Sequence, residues 1–243
     1  MAGRGKVNEA VPIDTSNIKV LRNGRWQPMY RPINCDRSFS GVSLAESFAE
    51  KYAAEHNVTV GLIPCADGGT SLNHWQPGEA LFEHAVYMSK LAMRSSTIVG
   101  VLWHQGEGDC ADGLWQCYEE KCLNIFNKLR EELNLNDVPF IMGGLGDFLA
   151  IREVEANQPQ YKNYPKVNNA IQNMAKNDAM IGFVSAEGLT SNDDNLHFNS
   201  ASLYEFGLRY YEAFKTLEKN DKVFTEKGGK YDVVGGVSKV ELL

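Results

Sequence analysis

Thr97-Ile98-Val99-Gly100-Val101-Leu102, followed by Trp103-His104-Gln105-Gly106-Glu107-Gly108-Asp109, decides how the rest of the chain is read. The first half is a short apolar run rich in β-branched residues, which predicts a buried central strand. The second half is polar and glycine-rich, which predicts a loop at that strand's carboxyl end. In an open parallel sheet, ligands sit beyond the carboxyl ends of the strands, so His, Gln, Glu and Asp gathered there form a candidate site. A polar turn closed by its own hydrogen bonds is the competing reading of the same residues.

Working outward, strand and helix patterns alternate. Upstream, Ser43 as N-cap and Glu46 as its partner in a capping box open a helix in which Leu44, Phe48 and Tyr52 recur at helical spacing. A buried strand over Val58 to Pro64 runs into Cys65-Ala66-Asp67-Gly68-Gly69-Thr70-Ser71, and a helix follows at about Glu79 to Arg94. Downstream come a long amphipathic helix from about Gly113 to Leu133, a strand over Val138 to Met142 ending in Gly143-Gly144-Leu145-Gly146-Asp147, and a helix around Val167, Ile171 and Met174. A fourth strand over Ala179 to Ala186 leads to Asp193-Asp194-Asn195-Leu196-His197, then a last helix from about Ala201 to Leu217. Near the start, Ile18 to Arg22 and Trp26 to Met29 flank Asn23-Gly24, a hairpin signal expected to form a small excursion beside the main sheet. The repeated alternation predicts a parallel sheet covered on both faces with right-handed crossovers, its polar loops collected on one rim.

At 243 residues the chain is long enough for one large domain, and no linker argues for two. We therefore expect one domain over 1–243, with the tail at 219–243 as a peripheral extension. Hydrophobic residues make up 43% and charged residues 23%, ordinary globular proportions. A net charge of -7 without a Lys/Arg block argues against nucleic acid or an anionic membrane as partner. Five cysteines at 35, 65, 110, 117 and 122 lack paired C-x-x-C spacing, so no metal site is expected. Their odd number, with no signal-peptide pattern or membrane-length apolar run, leads us to expect a cytoplasmic protein.

Asp194 and His197 carry the sharpest chemistry. A carboxylate three residues before a histidine can accept the Nδ1 proton, fix the tautomer and leave Nε2 as a general base. A surface turn with a solvated histidine is the alternative. Gly68, Gly69 and Gln105 can supply N–H donors for an oxyanion, though tight-turn roles explain glycines equally well. Glu107 and Asp109 could form an acid pair or bury themselves as hydrogen-bond acceptors. His104 fits a role holding the Gln105 loop, and Trp75, beside His74, could touch a sugar or hold its loop. Gly143-Gly144-Leu145-Gly146 lacks the spacing of a nucleotide loop.

Three ordered blocks, Ile63 to Ser71 with Trp75, Trp103 to Asp109, and Asp194 to His197, resemble the carbohydrate acetylesterases related to sialate O-acetylesterase and acetylxylan esterase, within the SGNH hydrolase superfamily. The resemblance implies a three-layer α/β/α doubly wound parallel sheet of flavodoxin-like architecture, an acetylated carbohydrate substrate and no cofactor. It implies His197 as base, Asp194 as its orienting acid, and Gln105 with Gly68 or Gly69 as the oxyanion hole. The family's nucleophilic serine lies in a Gly-Gln-Ser-Asn block at the end of the first strand, commonly followed by Met-Ala-Gly-Arg-Gly. This sequence opens on Met1-Ala2-Gly3-Arg4-Gly5. We accordingly expect the serine and first strand just upstream of Met1, since removing a central strand leaves unpaired backbone groups at about 1–3 kcal/mol each. A non-catalytic carbohydrate-binding relative that has lost the nucleophile is the alternative.

Overall fold

The computed structural model describes residues 2–221 and 240–242. Its strands are β1 (Ile18–Arg22), β2 (Arg25–Pro28), β3 (Thr59–Leu62), β4 (Ser96–Ile98), β5 (Val101–Trp103), β6 (Phe140–Gly143), β7 (Ile181–Val184) and β8 (Val240–Leu242). Its α-helices are α1 (Ala45–His56), α2 (Ala80–Ala92), α3 (Tyr118–Leu133), α4 (Leu149–Glu155), α5 (Tyr164–Asn177) and α6 (Ser200–Asp221). The architecture is mixed α/β, with one sheet ordered β2-β1-β3-β8-β4 and a second ordered β5-β6-β7. Every pairing is parallel except β1 with β2.

The run expected as one central strand is two. β4 bonds to β8 and β5 bonds to β6, and the chain changes ladders across Val99-Gly100. Among the described residues each half therefore has a single hydrogen-bonded neighbour. The hairpin also corrects its expectation. Asn23 and Gly24 both adopt positive φ, 50° and 74°, as a two-residue hairpin turn requires. The hairpin is part of the sheet, because β1 pairs with β3 in the register Ile18↔Val60 and only β2 is left at the edge. Most of the tail lies outside the described residues. Its last described piece, β8, sits between β3 and β4 and bonds to both rather than lying at the periphery.

Helix α1 begins one residue later than the capping pattern predicts. Leu44 takes the N-cap position in helical conformation, the Glu46 carboxylate accepts the Ser43 N–H at 3.0 Å, and Ser43 Oγ accepts from Ala45 N–H at 3.3 Å. The Glu46-to-Ser43 bond is the one the pattern predicts, while Ser43 Oγ takes the N–H of Ala45, one residue earlier than expected. Both α1 and α3 end on an asparagine in left-handed conformation, Asn57 and Asn134, which lets the last turn close. Helix α3 itself starts at Tyr118, after a 3-10 turn over Trp115–Cys117.

Packing separates the helices into two groups. α1 lies against α6, and these two meet β1, β3, β6 and β7; α2, α3 and α5 pack in succession and meet β4 and β7. Phe48, Tyr52, Tyr211 and Phe214 fill the α1–α6 seam, each no more than 2% exposed. Burying each such side chain contributes on the order of 1.5–3 kcal/mol. Gly207 permits the close approach, since a Cβ there would stand 2.1 Å from the Leu44 carbonyl oxygen. With β3, β5, β6 and β7 parallel, the loops after them emerge at one end.

Candidate active site

That end holds a cavity of about 420 Å³ whose wall includes Ala2, Gly69, Gln105, Tyr161 and His197 at the rim. It continues inward between apolar side chains, among them Leu62, Ile98 and Leu102. Of the expected site residues, Gly68, Gly69, Trp75, His104, Gln105, Glu107 and His197 line this one space, while Asp194 and Asp109 reach it through their bonds to His197 and Gln105.

The Asp194–His197 turn is the most organised part of it. Asp194 Oδ2 lies 2.6 Å from His197 Nδ1, while Oδ1 accepts the N–H groups of Leu196 and His197, each at 3.0 Å. Burial works against ionisation of Asp194, but the His197 backbone and imidazole and the Leu196 N–H together hold its carboxyl below the ordinary value. An ionised acceptor on Nδ1 puts the ring proton there and leaves Nε2 as the basic nitrogen. Asn195 takes φ of 49°, and the Asn192 N–H to His197 carbonyl bond at 2.8 Å closes the turn. Directly beneath, Phe198 meets the rings of His104, Phe148 and Phe206.

Across the rim, the double glycine is held by residues that the sequence reading missed. Arg4 grips Asp36 bidentately, Nη2 to Oδ2 at 2.5 Å and Nη1 to Oδ1 at 3.0 Å. Asp36 also accepts from Asn34 Nδ2, Ser40 Oγ and the Gly68 N–H. Burial opposes its charge, but the Arg4 guanidinium and the Gly68 N–H hold the Asp36 carboxyl well below the usual carboxylate range. A Cβ at Gly68 would lie 2.2 Å from Arg4 Nη2, so a larger residue there makes the guanidinium shift. Its N–H is committed to Asp36, so Gly69, with φ of 80°, is the glycine whose N–H that carboxylate does not take. Arg4 and Asp36 are 32 residues apart, and no local pattern links them.

Gln105 departs from its expected use as a direct oxyanion donor. Both of its amide hydrogens are engaged, one by the Thr70 carbonyl at 3.0 Å and one by Asp109 Oδ2 at 2.5 Å. The group it leaves without a partner is an acceptor, the buried Oε1. Asp109, 1% exposed, also takes the Leu72 N–H, and burial raises its carboxyl pKa. Glu107 faces the other way, its Oε1 lying 3.5 Å from His104 Nε2. Burial again acts upward there, but the His104 hydrogen bond and charge bring the Glu107 carboxyl down to about 2. The two carboxylates thus serve separate partners and are not arranged as an acid pair. Trp75 is 7% exposed, donates Nε1–H to Thr70 Oγ1 at 3.0 Å, and packs edge-on against Trp103.

His74 bonds within its own turn to Ser71, and His56 stacks on Tyr52 with centroids 4.1 Å apart. Among the described residues, no group of three or more His, Cys, Asp or Glu side chains is placed to hold a metal ion, and no helix is long and apolar enough to cross a membrane. The half-buried Cys65 thiol lines the cavity, but burial pushes it up to about 12, so it is not a thiolate at neutral pH.

Comparison with known proteins decides the family. The family model described as carbohydrate esterase, sialic acid-specific acetylesterase, matches residues 1–216. The chain belongs to that family. It is 27% identical over 213 residues to a probable carbohydrate esterase of Arabidopsis thaliana, covering 83% of this chain and 75% of that protein. The X-ray structure of the Arabidopsis protein superposes with a TM-score of 0.77 at 25% identity, over 89% of this chain and 93% of that one. Similar in fold are NanS, with a TM-score of 0.68, 18% identity and coverage of 90% and 93%, and a carbohydrate acetylesterase from Xanthomonas citri, with 0.60, 15%, and 84% of this chain against 49% of that one. Membership in this carbohydrate esterase family supports hydrolysis of O-acetyl esters in general.

Proposed function

We propose that the protein removes O-acetyl groups from a carbohydrate by a serine-histidine-aspartate mechanism, on a three-layer doubly wound domain of the SGNH type spanning 1–243. The observation that carries this reading is the Asp194–His197 pair at the mouth of the cavity that Gly69 also lines. His197 Nε2 takes the proton of a serine hydroxyl as its Oγ attacks the acetyl carbonyl carbon. The Gly69 N–H and the backbone N–H of the nucleophile hold the oxyanion. Collapse breaks the ester bond, His197 returns the proton to the departing sugar oxygen, and a water activated by His197 then releases acetate. Gln105 acts at one remove, fixing Thr70 and with it the orientation of Gly69.

No described serine is hydrogen-bonded to His197. We place the nucleophile on a residue immediately before Met1 in the natural coding sequence. One feature supports this placement: Ala2, Gly3 and Arg4 line the same cavity as His197, and Arg4 is fastened between the two halves of the rim. The five cysteines, all free, fit the reducing setting of a cytoplasmic protein.

The test is acetate release from an O-acetylated sugar by protein translated from the upstream codons. Turnover by the extended protein supports the reading, and a frame that encodes no serine ahead of Met1 contradicts it. Carbohydrate binding without hydrolysis is the second reading, motivated by the same lack of a described serine partner for His197. Calorimetry on the extended protein with acetylated and deacetylated sugars separates the two, because only an esterase converts one into the other.

A further inference from the structure

The Asp194–His197 turn uses up its own carboxylate internally: Oδ1 holds two backbone N–H groups and Oδ2 holds the imidazole. Nothing in that arrangement fixes where the turn stands relative to the rest of the rim. On one side Asn192 Nδ2 donates to the Arg4 carbonyl at 3.0 Å, beside an exposed ion pair between Lys6 and Asp193. Exposed pairs of that kind contribute little. On the other side stands α4, an element with no counterpart in the expected pattern. Arg152 Nη1 donates to the Asp194 carbonyl oxygen at 2.6 Å, and Asn195 Nδ2 donates to Glu155 Oε2 at 3.1 Å. Arg152 is itself held: Nε donates to Gln158 Oε1 at 2.7 Å, and the guanidinium lies over the ring of Tyr161, which lines the cavity.

We infer that Arg152 is a positioning residue for the Asp194–His197 pair, fixing the catalytic turn against the cavity wall through the Asp194 carbonyl. The inference rests on the esterase reading for its consequence but not for its geometry. A charge-assisted bond from a guanidinium to a backbone carbonyl is among the stronger single contacts available to a loop. It also lets the Asp194 side chain serve the imidazole without having to anchor the turn.

The experiment is hydrogen exchange of the Leu196 and His197 amides, with the His197 Nδ1 proton followed by NMR, in the wild-type chain, Arg152→Ala and Arg152→Lys. Arg152→Ala is expected to speed exchange of both amides by roughly tenfold, the loss of one such bond, and to broaden the Nδ1 resonance. Arg152→Lys, which keeps one donor, is expected to recover part of the protection. The Phe140 amide on β6 reports whether the fold is intact. Wild-type exchange at Leu196 and His197 in Arg152→Ala overturns the inference, as does Arg152→Lys behaving like Arg152→Ala. Because none of these readouts is turnover, a protein that hydrolyses no ester refutes the functional reading separately.

Discussion

At the residue scale, the proposed chemistry depends on one contact, Asp194 Oδ2 to His197 Nδ1 at 2.6 Å. Asp194→Asn replaces the acceptor with an amide that turns its own N–H toward Nδ1, favouring the tautomer whose Nε2 already carries a proton. In the active protein we expect kcat to fall by about 10³–10⁴ with KM little changed, measured as acetate release. The same carboxylate makes a signed prediction about acid. Its folded-state pKa is lowered, so its contribution to stability is present above the ordinary aspartate value and lost as pH falls through the lowered one. The Tm difference between wild type and Asp194→Asn should therefore shrink as pH falls below about 4; a difference that keeps its full size down to about pH 2 contradicts it. Gly68→Ala is expected to separate Arg4 from Asp36, because its Cβ would meet Arg4 Nη2 at 2.2 Å. Thermal unfolding should show a lower Tm, and Asp36→Asn should add little to it. Asp-x-x-His was legible because its partners are three residues apart. The Arg4–Asp36 pair was not, because only the folded chain brings position 4 to position 36.

At the scale of elements, hydrophobic period placed α1, α2, α3, α5 and α6 and the cores of β3, β6 and β7, since each buries a face long enough to show one. Three things escaped it. The start of α1 lies one residue past its capping pattern, and Glu46, besides accepting the Ser43 N–H, pairs with Arg31, whose Nε lies 2.6 Å from Oε2, a partner that the local pattern does not show. The run from Thr97 to Leu102 reads as one strand because both halves are apolar; which ladder each joins is decided by neighbours far away in the chain. Helix α4 is short and leaves Ile151 and Val154 exposed, at 47% and 78%, so its apolar residues do not mark a buried face. The α1–α6 seam offers a direct test. Gly207→Ala drives a methyl group into the Leu44 carbonyl oxygen and Ser47 Oγ, both 2.1 Å away. Urea unfolding should show a loss at or above the upper end of the roughly 1–3 kcal/mol typical of overpacking. A loss below about 0.5 kcal/mol, the size of an ordinary surface substitution, contradicts the close approach.

For the molecule as a whole, parallel strands deliver four polar loops to one end, and the family match over residues 1–216 spans all four of them. Composition and charge narrowed the class without naming the chemistry; the ordered motifs at 63–71, 103–109 and 194–197 did that, the first two because they sit where β3 and β5 end, the third, ten residues past β7, because Asp194 and His197 are close in sequence. What they could not show is how each group is used. Gln105 carries the expected amide, yet both of its hydrogens face inward to Thr70 and Asp109. The most direct measurement is the rate of acetate release from an O-acetylated sugar by the protein extended through its upstream codons, compared with the same protein carrying His197→Ala. The account predicts measurable turnover that falls by at least about 10³ in the variant; equal rates in the two would contradict it.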